Sequence, residues 1–277
     1  MFTERELSAE LAAVRDEHAP DALVLDCARD FETVPPAQAE NLALVTERLT
    51  PRSYPTEWLP ADAPEPLRNY ASDELTIGAP GDGGVAWTRQ TDPPAVLVKP
   101  RLEGSPDDFV DFLVADALVQ VGLDVPEQFL GFFEARYLDL AAAADGRLDA
   151  TGTYQLAAAL YDAYLGLHTR EVFAEWSDDY PDLFDAWVDA GERLEPRLAD
   201  LSTEIATGHI GFGDAAELAC AAIKHAVERS STSHPSQARK ARTEPPTPFG
   251  ALNTDAYREY GAEYAVEWAE KTFEKLE

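Results

Sequence analysis

The chain has 277 residues, 45% of them hydrophobic, and a formal net charge of −30. That apolar content is enough for a core and excludes disorder throughout. Cys27 and Cys220 make neither a disulfide framework nor a zinc spacing, and no run of eighteen apolar residues exists, so the expectation is a reduced, cytoplasmic protein that does not span a membrane.

Taken in order, Thr3 with Glu6 reads as a capping box for a helix through Leu7, Leu11 and Val14 to about Glu17. The run ALVLDC at 22–27 suits either a buried strand or a short helix. Pro36 opens a helix through Leu42, Val45 and Leu49. Five prolines from Pro51 to Pro66 mark an irregular segment, which Trp58 is expected to pin to the core. Residues 73–102 carry the strand signal. ELTIGAP, VAWTRQ and AVLVKPRL, separated by GDGG and TDPP, predict a small three-stranded antiparallel sheet.

The densest apolar surface follows at Gly104–Leu140 and predicts two packed helices. Ser105 is a natural N-cap, Pro106 suits the first turn, and Asp107 and Asp108 complement the helix dipole. Val110, Leu113, Val114, Ala117, Leu118 and Val121 form one face at helical spacing, with Phe112 and Val119 on the other side. Gly122 ends this helix. Asp124 with Glu127 reads as the capping box of the next, whose stripe is Phe129, Phe133 and Tyr137. A helix at about 153–176 and another from Asp178 come next, the latter interrupted at Pro196. Asp214 with Glu217 caps a helix over 215–229. The last helix, about 255–276, presents Tyr257, Tyr260, Tyr264 and Trp268 on one face. The expectation is therefore a predominantly α-helical α+β protein: a mixed part at 1–103, a helical body at 104–229, a linker at 230–250 and a docking helix at 251–277.

The charge is spread evenly, 52 acidic residues against 22 basic ones, and only five of the basic ones are lysine. In composition the chain resembles cytosolic proteins of salt-loving archaea, and that resemblance implies a halophilic, archaeal, otherwise uncharacterised protein. There, carboxylates keep a hydrated surface soluble in molar salt, where screening over about 3 Å removes self-repulsion.

Four patterns bear on chemistry. Asp107-Asp108-Phe-Val-Asp111 and Asp178-Asp179-Tyr-Pro-Asp182 are both DDxxD. In a helical protein the pair resembles the isoprenyl diphosphate synthases, which implies that Asp107, Asp108, Asp111, Asp178, Asp179 and Asp182 hold Mg²⁺ against a departing diphosphate. Here no Arg or Lys follows Asp111 until Arg136, and both motifs stand at helix starts, where Asp is expected as a cap. GAPGDGG before VLVK resembles the small sheet of protein kinases, but no HRD or DFG follows. Lys99 is instead expected at a strand edge, discouraging edge pairing. His168 with Glu171 and His225 with Glu228 read HxxE, which suits hydrogen-bonded helix histidines better than a metal site. Finally, Arg229, Arg239, Lys240 and Arg242 lie in an acid-free, Ser- and Pro-rich stretch, a local positive charge that could touch an acidic protein partner or nucleic acid.

No complete catalytic set is present. The functional expectation is a non-catalytic interaction or regulatory protein that needs no cofactor, with Mg²⁺-dependent chemistry on a diphosphate as the alternative.

Overall fold

The computed structural model describes residues 2–31, 34, 36–78, 83–226 and 245–275. The chain divides into two compact units, residues 1–135 and 136–277.

Unit 1 is built on a four-stranded mixed sheet, not a three-stranded antiparallel one. Its strands are β1 (Phe2–Glu4), β2 (Leu23–Cys27), β4 (Val85–Thr88) and β6 (Ala95–Val98), in the order β1-β2-β6-β4. β2 and β6 run parallel, Leu23 opposite Ala95 and Asp26 opposite Val98, while β1 and β4 pair antiparallel at the two sides. The continuous apolar runs ALVLDC and AVLV belong to the inner pair. A strand covered on both faces has no solvated side to alternate toward, and all four residues of β6 are buried. A separate two-stranded ribbon pairs β3 (Arg48–Leu49) with β5 (Thr91–Asp92).

ELTIGAP is not a strand over its described part. Leu75 and Ile77 are buried in the cluster that covers one face of the sheet with Phe2, Leu25, Phe31 and Leu97. The opening residues differ too. Phe2–Glu4 is β1, and helix α1 (Ala9–His18) begins after Ser8, whose hydroxyl accepts from the Leu11 amide. The pull toward a strand is tertiary, because β2 offers β1 a free edge. Helix α2 (Pro36–Leu42) stops at Leu42, since the chain must extend to form β3. A short helix α3 (Glu65–Tyr70) follows the proline-rich stretch.

Helix α4 (Asp107–Gly122) packs on α1, β4 and β6. Val110, Phe112, Val114, Leu118 and Val119 are all buried, as expected of a helix apolar on nearly two sides. Its buried polar groups are paired: Gln120 accepts from the Trp87 indole at 2.8 Å and donates to Asp116 at 2.9 Å. Pro106, not Ser105, occupies the cap position, and no side chain caps the helix. The second helix of the pair is broken. α5 (Phe129–Phe133) ends at Glu134, whose φ of 51° no α-helix accepts.

Unit 2 is helical. α6 (Tyr137–Ala144) leads into α7 (Ala150–Glu175), capped by Asp149, which accepts from Gly152 N at 2.7 Å. α7 is the central rod, packed by α6, α8 (Pro181–Ala199), α10 (Phe212–Ala221), α11 (Asp255–Tyr260) and the 3₁₀ turn Ala222–His225. Gly166 lets that turn approach: a Cβ there would lie 2.9 Å from Lys224 N. Pro196 does not interrupt α8. It lies one turn from the end, and both it and Glu192, whose carbonyl loses its partner, are exposed to water. α9 (Leu201–Ala206) follows. α10 begins at Phe212, ahead of the expected Asp214 cap, and ends at Ala221.

The final helix is two: α11, then α12 (Ala262–Lys275), broken at Gly261 with φ of 50°. The aromatic stripe docks within unit 2. Tyr257 donates to Leu160 O at 2.6 Å, Trp268 to Pro248 O at 3.1 Å and Tyr264 to Ala251 O at 2.9 Å. Tyr260 alone of the four is well exposed, at 58%.

Candidate functional site

Unit 1 holds a cleft of about 460 Å³ between the proline-rich segment, the end of β4 and the chain around α5. A buried carboxylate stands behind Arg52, one of the lining residues. Glu127 has a side chain only 2% exposed. Its Oε1 accepts from Thr88 Oγ1 at 2.6 Å and Gln90 Nε2 at 2.7 Å, and its Oε2 from Arg89 N at 2.8 Å. Three donors compensate for the lost water. Glu127 is thus a core acceptor and not the partner of Asp124 in a capping box.

Gln90 extends this network forward. It donates to Thr76 O at 2.9 Å and accepts from Arg52 N at 2.9 Å, while its carbonyl accepts from Thr50 N at 2.7 Å. The proline-rich segment is therefore held by polar contacts, and these place Arg52 at the cleft. Arg52 Nε stands 3.8 Å from Glu127 Oε2, beyond hydrogen-bond reach, and its side chain is 41% exposed.

Arg89 plays a different part. It donates to Leu123 O at 2.9 Å and to Val125 O, and its guanidinium lies 5.3 Å from the centre of the Trp87 ring. It clamps the end of α4 to β4. The aromatic wall is Tyr54 and Trp58, tilted rings 6.0 Å apart. Burial pushes the Tyr54 hydroxyl above its ordinary pKa, and the Arg52 guanidinium beside it works the other way. That hydroxyl is buried beside the Arg52 guanidinium. Gly131 permits this seat, because a Cβ there would lie 2.9 Å from it. Asp124 and Glu134, both exposed, complete the lining.

The residues singled out by sequence lie elsewhere. Asp107 and Asp108 are exposed in the first turn of α4; Asp108 accepts from Phe109 N at 2.9 Å. Asp111 is half-buried and hydrogen-bonded to Ser8, with burial, then the neighbouring acids, raising its pKa. Asp178 and Asp179 are exposed between α7 and α8, and Asp182 is exposed in the first turn of α8. Among the described residues, no group of three or more His, Cys, Asp or Glu is placed to hold a metal. Arg229, Arg239, Lys240 and Arg242 lie outside the described residues.

Lys99 is not at an edge. It follows the inner strand β6, is 1% exposed, and sets its ammonium 4.7 Å from the centre of the Phe31 ring. Nearby, burial pushes the Cys27 thiol up to about 12, so it is no nucleophile. His168 stands edge-on to Tyr164 at 4.6 Å, while Glu171 pairs with Arg258. His225 is buried, with Nδ1 3.0 Å from Trp187 O. Glu228 lies outside the described residues.

A family of unknown function, DUF7089, has a model that matches residues 1–276. The chain belongs to the DUF7089 family. No curated protein and no solved structure matches it. No helix of this DUF7089 member is long and apolar enough to cross a membrane, among the described residues.

The cleft of the DUF7089 chain went unread in the sequence. Trp58 is expected there as a pin and Glu127 as a cap, but nothing linked them to Arg52, Tyr54 and Arg89. The usable signal is charge. In a chain with 22 basic residues and 52 acidic ones, two arginines flanking aromatic and proline residues stand out.

Proposed function

We propose that this DUF7089 member is a non-catalytic binding protein, an interaction or regulatory component of a salt-adapted archaeal cytosol, and that it takes a small anionic ligand in the cleft of unit 1. One observation carries this reading. Arg52 is 41% exposed in an aromatic-walled cleft, while the carboxylate behind it stands 3.8 Å away and already accepts from three closer donors. Beyond its contact with the Tyr54 hydroxyl the guanidinium, with five N–H donors, keeps donors to offer, and a planar fork of that kind suits a carboxylate. Aromatic walls with a few placed polar groups are the usual make-up of small-molecule sites. The even acidity of the rest of the surface supports the salt-adapted setting.

Phenylacetate, a carboxylate with an aromatic body, is the probe. In molar KCl it should raise the melting temperature of the protein, and Arg52→Gln should remove the rise. No shift in the unmodified protein, or an equal shift in the variant, overturns the reading.

A further inference from the structure

The cleft is not uniformly basic. Asp124 and Glu134 line it together with Arg52. Arg89 lines it too and keeps its charge, but two of its guanidinium nitrogens already donate to the carbonyls of Leu123 and Val125. Around an aromatic wall the site therefore offers an exposed guanidinium, Arg52, a second whose donors are largely engaged, Arg89, and two exposed carboxylates. A ligand carrying only an anion meets Arg52 but also faces two like charges. A ligand carrying only a cation meets the carboxylates but faces Arg52. A ligand with both charges and an apolar body satisfies every group.

Glu134 supports a role for the acid. Its backbone sits at φ 51° and ψ −136°, a conformation that L-residues rarely adopt and glycine prefers. An acidic residue nevertheless lines the cleft from that position. Gly131 on the same stretch has no side chain to fill the space against Tyr54.

We infer that the ligand is a small zwitterion with an apolar or aromatic body, of the α-amino-acid type. Arg52 takes its carboxylate, Glu134 and Asp124 take its ammonium, and Tyr54 and Trp58 line its body. The inference rests on the reading of the cleft as an anion site. Contacts made at hydrogen-bond distance lie within the screening length of about 3 Å in molar salt, so direct recognition persists in molar KCl.

Calorimetric titration with three probes tests it: L-phenylalanine, N-acetyl-L-phenylalanine, which keeps only the negative charge, and L-phenylalanine amide, which keeps only the positive one. L-phenylalanine should bind at least tenfold tighter than either. In the double variant Asp124→Asn, Glu134→Gln its advantage over the N-acetyl form should vanish. Equal binding of L-phenylalanine and its N-acetyl form in the unmodified protein overturns the zwitterion and leaves the anion site standing. Binding of phenylacetate but of none of the three probes does the same. Tightest binding by the amide, or binding by no probe including phenylacetate, overturns both. The probe comparison in the unmodified protein is decisive even if the double variant fails to fold.

Discussion

Removing the Glu127 carboxylate should unfold unit 1 far more easily than the loss of one side chain suggests. The group accepts three hydrogen bonds at 2.6–2.8 Å and is 2% exposed. Hydrogen bonds to a charged group contribute roughly 1.5–3 kcal/mol each. Gln90 still reaches Thr76 O, whereas the Thr88 hydroxyl loses the acceptor for its proton although its oxygen still accepts from Gln90 N. Arg89 N is likewise left without an acceptor. Glu127→Ala is therefore expected to cost about 3–5 kcal/mol, the range for breaking a buried charge network. Glu127→Gln keeps an acceptor for Thr88 and Gln90 but turns an amide NH₂ toward Arg89 N. Its cost should be smaller, about 1–3 kcal/mol. Hydrogen exchange of the amides of residues 85–98, at pH 7 and fixed KCl, reads the opening of this unit alone. A change below about 1 kcal/mol in the alanine variant, or equal losses in both variants, refutes the assignment of Glu127 as the hub.

Three further outcomes follow from the same geometry. Gly166→Ala should destabilise unit 2 by about 1–3 kcal/mol, because its Cβ would press on backbone atoms of Lys224 at 2.9 and 3.2 Å; urea denaturation with no change in midpoint sinks this. Burial, with Arg258 adding to it, holds the His168 pKa below 6.5, so the folded chain binds fewer protons there than the unfolded one. Stability from this group is complete above pH 6.5 and is lost as pH falls through the lowered value, and His168→Gln should flatten that part of the profile; parallel profiles for variant and parent count against it. With a net charge of −30, the melting temperature should climb with KCl as the screening length shrinks from about 10 Å at 0.1 M to about 3 Å at 1 M. A flat dependence would mean that self-repulsion does not limit this fold.

Some elements were legible locally. α4 follows from the spacing of Val110, Val114, Leu118 and Val121, and α7 from Leu156, Leu160, Ala163 and Leu167. Over such lengths a single apolar face repeats often enough to identify a helix. The breaks at Glu134 and Gly261 were not legible, because Phe129–Tyr137 and Tyr257–Trp268 keep helical spacing across them. Periodicity reports which residues face a core, not whether the backbone is continuous. Strands β1 and β2 are poorly legible for a related reason: three or five residues carry too little pattern, and their pairing partners lie 21 or more residues away.

What the sequence determines by itself is the class of the molecule: a real core, mostly helical, under a strongly acidic surface. Composition and short-range spacing suffice for that, since burial and helix formation are decided within a few turns of chain. The cleft belongs to the tertiary structure alone. Arg52, Arg89 and Glu127 meet only because Gln90 fastens the proline-rich segment, Arg89 fastens the end of α4, and Glu127 accepts from across 38 and 39 residues of chain. Such bonds have no spacing rule. They form wherever folding brings a buried donor to a buried acceptor, and the cost of leaving either unpaired is what sets the geometry of the site.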